Sequence, residues 1–273
     1  MSSAPKSSYR DLILEHYRKE AEKHGQDASS TMRDEITRGR EVTAVLRVVD
    51  WLSAREKKLA NLVDIGCGNG YLLEVLRERH PQLELTGLEY TPELVEIARE
   101  RNVERCPVVE GDVRDLPFDD DSFDAVVTER CIINIMDQED QARSLREVGR
   151  ILRSGGYYLC IEAFTDGLQQ LNQARAELGL LPNEQPYHNI WFDKEWFLQT
   201  IAEQFDIVDL DSEDDRSLPV PNFLSSHYFV SRAVYPAVTQ AEIVYNSHFV
   251  KFLSFLPPIG NYAPIQFWLL QKR

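Results

Sequence analysis

Five short apolar runs, at residues 59–65, 83–88, 107–110, 123–128 and 157–162, alternate with segments of helical periodicity. That rhythm is the signature of β-α-β units around a parallel sheet, so it predicts an α/β fold with helices on both faces. Leu72, Leu73, Val75 and Leu76 form one helical face between the runs. Leu94, Ile97 and Ala98 form another, opened by Thr91 as N-cap and Pro92 in the first turn.

The flanks read differently. Residues 1–58 predict a helical cap, with apolar positions at Ile13, Tyr17 and Ala21 and again at Val42, Val45, Leu46, Val49 and Leu52. Gly25 ends the first helix, and Thr31 with Asp34 has the capping-box spacing that opens the second. Residues 59–273 form the main domain. Beyond Glu162, Asp193 caps a helix with Trp196, Phe197, Ile201 and Phe205 turned inward, and strands follow at 206–210 and 265–270. The stretch at about 211–262 is too long for a bare loop. It holds nine of the chain's 27 aromatic residues and is expected to pack as a helical insertion before the last strand.

Composition narrows the function. With 45 acidic and 30 basic residues the formal charge is -15, which opposes nucleic acid and anionic membrane as partners because such binding scales with the phosphates neutralised. No run approaches the roughly 20 apolar residues that span a bilayer, and the N-terminus shows no signal-peptide core, so a cytoplasmic location is expected. Cys67, Cys106, Cys131 and Cys160 include no C-x-x-C pair and read as buried hydrophobes. The acidic run of Asp119, Asp120, Asp121 and Asp124 reads as a solvated turn, and no metal is expected.

Three motifs carry the chemistry. In Val63-Asp64-Ile65-Gly66-Cys67-Gly68-Asn69-Gly70 a strand turns into a helix, and its glycines let the backbone pass close to a ligand and present N–H groups. A dinucleotide fingerprint would need a further glycine at position 71, which is Tyr71. Glu89, nineteen residues past Gly70, suits the vicinal hydroxyls of a ribose. Asp112 and the Val113 N–H, after the third strand, can meet an adenine amine and ring nitrogen. All three motifs lie at successive strand ends, where open α/β sheets bind ligands.

Over residues 59–165 the sequence resembles the class I S-adenosylmethionine-dependent methyltransferases, through VDIGCGNG, Glu89, GDVRDLPFDDDSFDAVV and REVGRILRSGGYYLCIE. The resemblance implies a Rossmann-like, seven-stranded, mostly parallel sheet with an antiparallel last strand. It also implies S-adenosylmethionine as cofactor and S-adenosylhomocysteine as product. Gly66, Gly68 and Gly70 would flank the methionine part, Glu89 the ribose, and Asp112 with Val113 the adenine; Asp64, Cys67 and Tyr90 join the cofactor-binding set. Glu129, Arg130 and Cys131 would lie where cofactor meets acceptor, and Arg38 would close over the cofactor and pair its carboxylate. Ser154 stands where many members have proline. The segments SSTMRDEITRGRE and PYHNIWF are similar to bacterial members that modify sugars and natural products, which implies a small-molecule acceptor.

Oxygen is the expected acceptor atom, with His188 as proton acceptor. His16, His24, His80, His227 and His248 read as structural, while Tyr17, Met32 and Arg38 have two readings each, surface packing or closure over the cofactor. Three alternatives stand beside this reading: an N-methyltransferase, a non-catalytic cofactor-binding protein and a nicotinamide dehydrogenase. A homodimer through the aromatic insertion is a further expectation.

Overall fold

In the computed structural model, which describes residues 6–27, 32, 34–55, 59–213 and 215–273, seven strands form one sheet in the order β3-β2-β1-β4-β5-β7-β6. They are β1 (Asn61–Ile65), β2 (Glu84–Glu89), β3 (Val108–Glu110), β4 (Phe123–Glu129), β5 (Leu152–Ala163), β6 (Phe205–Ile207) and β7 (Ile265–Lys272). β7 runs antiparallel to both its neighbours, β5 and β6; the remaining pairs are parallel.

Side chains alternate across the sheet with the two-residue period of a strand. Leu62, Ala125, Val127, Leu159, Ile161, Phe267 and Leu269 face one core, and Val63, Val126, Tyr158, Cys160, Trp268 and Leu270 the other. Two helices precede the sheet, α1 (Lys6–His24) and α2 (Glu35–Ala54). Three more, α3 (Tyr71–Arg79), α4 (Pro92–Glu100) and α5 (Gln138–Ile151), lie between strands β1 and β5. α2 contributes Val42, Val45, Val48, Val49 and Leu52 to the first core, against Leu72, Leu73 and Leu76 of α3. Asp34 is the N-cap of α2, its carboxylate accepting from Thr37 N at 3.1 Å; Thr31, expected to share that role, lies outside the described residues.

β5 is longer than its apolar run. It starts directly after α5, and the 154–156 stretch is a bulge: Leu152 faces Phe123, yet Tyr157 already faces Ala125. Gly155, at φ 75°, supplies the left-handed residue this bulge needs.

Past β5 come α6 (Thr165–Glu177) and α7 (Lys194–Ile201). Asp193 caps α7 through Trp196 N at 2.9 Å, as its position predicts, and Phe197, Ile201 and Phe205 are buried. The insertion is helical: α8 (Ser225–Phe229), a π-helical turn (Val230–Val234), α9 (Tyr235–Thr239) and α10 (His248–Ser254). Its aromatics are divided. Phe223 and Tyr228 are buried, whereas Phe252 and Phe255 are 77% and 84% exposed.

A buried polar cluster ties the insertion to α2. His227 Nε2 donates to the Asp34 carboxylate (2.9 and 2.7 Å), and Arg232 Nη2 reaches Asp34 Oδ2 at 3.1 Å. His227 Nδ1 bonds Ser254 of α10 at 2.7 Å. Burial raises the Asp34 carboxyl, but the His227 hydrogen bond and the Arg232 charge outweigh it and hold the group at about 2.

Candidate active site

Going outward from β1 the sheet continues to β2, and going outward from β4 it continues to β5. Chain order therefore reverses between β1 and β4, which opens a crevice beyond their carboxyl ends. A cavity of about 490 Å³ fills it.

The glycine turn after β1 forms its floor. Gly66 has φ 77°, and a Cβ there would stand 2.8 Å from Cys131 Sγ and 2.9 Å from Cys131 Cβ. Only glycine fits this approach of the turn to the β4 end. The N–H groups of the turn are spent inside the protein, however: Gly66 N and Cys67 N donate to Leu88 O (2.7 and 3.0 Å), Gly70 N to Cys67 O (2.9 Å) and Gly68 N to Glu89 Oε2 (2.9 Å). These four bonds hold the turn in place as a close-approach surface on the cavity floor.

Glu89, 6% exposed, accepts Gly68 N on one oxygen and Thr91 N on the other at 2.8 Å. Burial raises its pKa and these N–H groups lower it, leaving it raised overall. Asp112 and Val113 line the same cavity with Tyr90 and Asp64. The Asp112 carboxylate is gripped by Arg114, whose Nε reaches Oδ1 at 2.9 Å and whose Nη2 reaches Oδ2 at 2.5 Å.

Arg38 and Glu129 meet at the far wall. Arg38 Nη1 donates to Glu129 Oε2 in a short bond. Arg38 Nε and Glu129 Oε1 are buried with no hydrogen-bond partner, one donor and one acceptor left unsatisfied, which is costly unless a ligand meets them. Six carboxylates (Asp64, Glu89, Asp112, Glu129, Asp137, Asp140) and three guanidiniums (Arg38, Arg114, Arg130) line the cavity. Burial raises the Asp64 carboxyl well above its usual range, yet the other five still outnumber the guanidiniums, a surplus that suits a cationic ligand and opposes a diphosphate.

A second cavity, of about 560 Å³, adjoins the first. Tyr17, Arg130 and Asn134 line both and form the neck between them. Arg130, in the left-handed conformation at φ 54°, is held by the fully buried Glu41 through Nε (3.0 Å) and Nη2 (3.2 Å). Tyr17 hydrogen-bonds Asn134, and burial pushes its phenol well up, so it stays protonated. His188 lies in the second cavity and not at the cofactor turn; it stacks on His16 with ring centroids 4.3 Å apart. Burial and the neighbouring His16 lower its pKa.

Tyr17, Met32 and His16 are thus cavity walls. Only the helical period of α1 marks Tyr17 as facing inward. Glu41 and Glu162 end two of the segments that carry the resemblance, with nothing in the sequence to give either a role. Glu162, fully buried at the end of β5, accepts Cys131 N and Ile132 N at 3.1 Å and so caps a short 3-10 turn (Ile132–Asn134) that builds the neck. Asn69 ties down the end of α1, donating to Gly25 O (3.0 Å) and Asp27 O (2.8 Å). The acidic run forms ion pairs, Asp120 with Arg150, Asp121 with Lys272 and Asp124 with Arg153.

Burial raises the Glu162 carboxyl from 4.5 to about 7, against the N–H groups it caps. A raised folded-state pKa means the fold takes up a proton between pH 4.5 and about 7, where the unfolded chain is already ionised. The associated stability is therefore present below pH 4.5 and lost as pH rises through about 7. Urea unfolding at pH 5.5 and pH 8 is expected to show wild type losing about 2 kcal/mol more than Glu162→Gln over that interval. Equal losses in the two proteins would count against this protonation.

Residues 63–160 match the family described as a methyltransferase domain. The chain is similar to that family over this stretch, which runs from β1 to β5. Demethylmenaquinone methyltransferase of Staphylococcus aureus (strain JH9) is 29% identical over 123 residues, which are 44% of this chain and 50% of that protein. The chain thus spans about half the length of the curated relatives it matches. Among solved structures, phosphoethanolamine N-methyltransferase 1 of Haemonchus contortus superposes with a TM-score of 0.60 at 17% identity, covering 98% of this chain and 50% of that one. A methyltransferase solved in complex with the Haloferax volcanii Trm112 activator gives a TM-score of 0.54 at 18% identity, over 90% and 96% of the two chains. These likenesses extend the fold of the methyltransferase domain beyond the matched residues, with the seven-stranded mixed sheet expected from its motifs. Among the described residues no helix is long and apolar enough to cross a membrane.

Proposed function

We propose that the protein is an S-adenosylmethionine-dependent methyltransferase that holds its cofactor in the first cavity and a small-molecule acceptor in the second. The observation that carries this reading is the pair of cavities meeting at Tyr17, Arg130 and Asn134. A non-catalytic cofactor-binding protein would need only the first.

The residues of the first cavity fit the cofactor. Arg38 Nε and Glu129 Oε1, each unsatisfied, match the carboxylate and ammonium of an amino-acid group. Glu89, Asp112 and Val113 line the same cavity, which supports their reading as partners of the ribose and the adenine, and Gly66 and Gly68 leave room for the chain between. When bound, S-adenosylmethionine supplies a methyl group on a sulfonium whose leaving group is already activated.

What remains for the protein is alignment and exclusion of water. Orientation of this kind contributes roughly 7–11 kcal/mol, more than the 10²–10⁴ in rate typical of a general base. Glu41 fixes Arg130, Glu162 fixes the turn carrying Cys131 and Asn134, and α1 places Tyr17 across the neck. His188, kept neutral by burial and by its stacked partner, accepts the acceptor's proton. The flanking segments support a small organic acceptor of the sugar or natural-product kind.

The test is transfer of labelled methyl from S-adenosylmethionine into a broad metabolite extract. Labelled small molecules are expected, and fewer of them with Tyr17→Ala. Tight cofactor binding with no labelled product would favour the non-catalytic reading.

A further inference from the structure

We propose that the second cavity selects a cationic amine, so that the atom methylated is nitrogen rather than the oxygen expected from sequence; this rests on the methyltransferase reading. Four charged side chains line the cavity: Glu20, Glu184, Arg130 and Arg232. The two cations are already matched from behind the wall. Arg130 is bridged by Glu41, and Arg232 pairs with Asp34, carboxylates that are 0% and 2% exposed and do not line the cavity. The two carboxylates are not so matched. Among the described residues no lysine or arginine lies within ion-pair distance of either, and the basic group near Glu20 is His24, at 3.6 Å.

The charge left facing a bound molecule is therefore negative. An anionic acceptor would meet Glu20 and Glu184 without compensation, and an alcohol would gain nothing from their charge. An ammonium gains from both, and from ring faces as well. Arg232 already lies 3.6 Å over Tyr228 and 4.7 Å over Tyr245, which leaves Tyr17 and Trp191 as aromatic walls for the ligand.

An ammonium is not a nucleophile, so the site must also take a proton. The stacked His16 and His188 rings, 4.3 Å apart, lie in the same cavity, and two cationic imidazoles so close would repel. One ring is thereby kept neutral and accepts the proton from R–NH₃⁺, passing it on to water. The freed lone pair forms the new N–CH₃ bond as the methyl–sulfur bond breaks with its electron pair retained by sulfur. The products are R–NH₂⁺–CH₃ and the thioether.

Matched probes test the choice: 2-phenylethylamine against 2-phenylethanol, and cyclohexylmethylamine against cyclohexylmethanol, titrated calorimetrically into protein saturated with S-adenosylhomocysteine. Each amine is expected to bind at least tenfold more tightly than its alcohol, and the preference is expected to vanish in Glu20→Gln/Glu184→Gln while affinity for S-adenosylhomocysteine is kept. Equal or tighter binding of the alcohols, a preference that survives the double variant, or no binding of any probe at 10 mM would each overturn the assignment. Failure of S-adenosylhomocysteine itself to bind would instead bring down the cofactor reading, and this one with it.

Discussion

Replacing Asp34 with alanine is expected to destabilise the protein by about 3–5 kcal/mol, the range for leaving a buried charge without its partner. Asp34 does three things at once: it caps α2 through Thr37 N, accepts from His227 and pairs with Arg232. Its loss strands a guanidinium that is 8% exposed and an imidazole that is fully buried. The cap alone accounts for about 1 kcal/mol. Asp34→Asn separates the contributions, since it can still cap the helix but brings no charge; it should recover about 1 kcal/mol of the loss and no more. Urea denaturation of the three proteins measures this, and a loss below about 1 kcal/mol for Asp34→Ala would show that the cluster does not anchor the insertion to α2.

Gly66→Ala is expected to cost about 2–4 kcal/mol and to weaken cofactor binding more than tenfold. The new methyl would lie 2.9 Å from Cys131 Cβ, an atom no side-chain rotation can move, on a residue whose N–H is tied to Glu162. The backbone must also keep φ 77°, which a Cβ disfavours. Gly68→Ala is the control: at φ 56° it meets the same kind of strain, but its methyl would find nothing within 4 Å. Thermal melts should place Gly68→Ala well above Gly66→Ala. Equal melting points would mean that the approach to Cys131 is not what demands glycine at position 66.

Local periodicity explains what the sequence disclosed. The alternating runs marked β1 to β5 because both sheet faces are covered, so Leu62 with Val63 and Leu159 with Cys160 are buried in succession. Asp193 was legible as a cap because its partner, Trp196 N, is three residues away. The neck was illegible for the opposite reason. Arg130 meets Glu41 across 89 positions, Arg38 meets Glu129 across 91, and Asp34 meets His227 across 193. A buried carboxylate and a solvated one look alike in a sequence until a partner is brought to it. Arg38 illustrates this: it lines the first cavity, and one arm of its guanidinium is committed to Glu129, a partner far away in the chain. The exposed Phe252 and Phe255 show the converse, since apolar character alone does not say which side of a helix the fold will cover.

Calorimetric titration with S-adenosylhomocysteine, run on wild type and on Glu89→Ala with NADH as comparison, puts the crevice between β1 and β4 to the most direct trial. Saturable one-to-one binding to wild type, at least tenfold weaker in the variant and absent for NADH, is the predicted result. Binding of NADH in preference, or an affinity for S-adenosylhomocysteine indifferent to Glu89, would contradict the account.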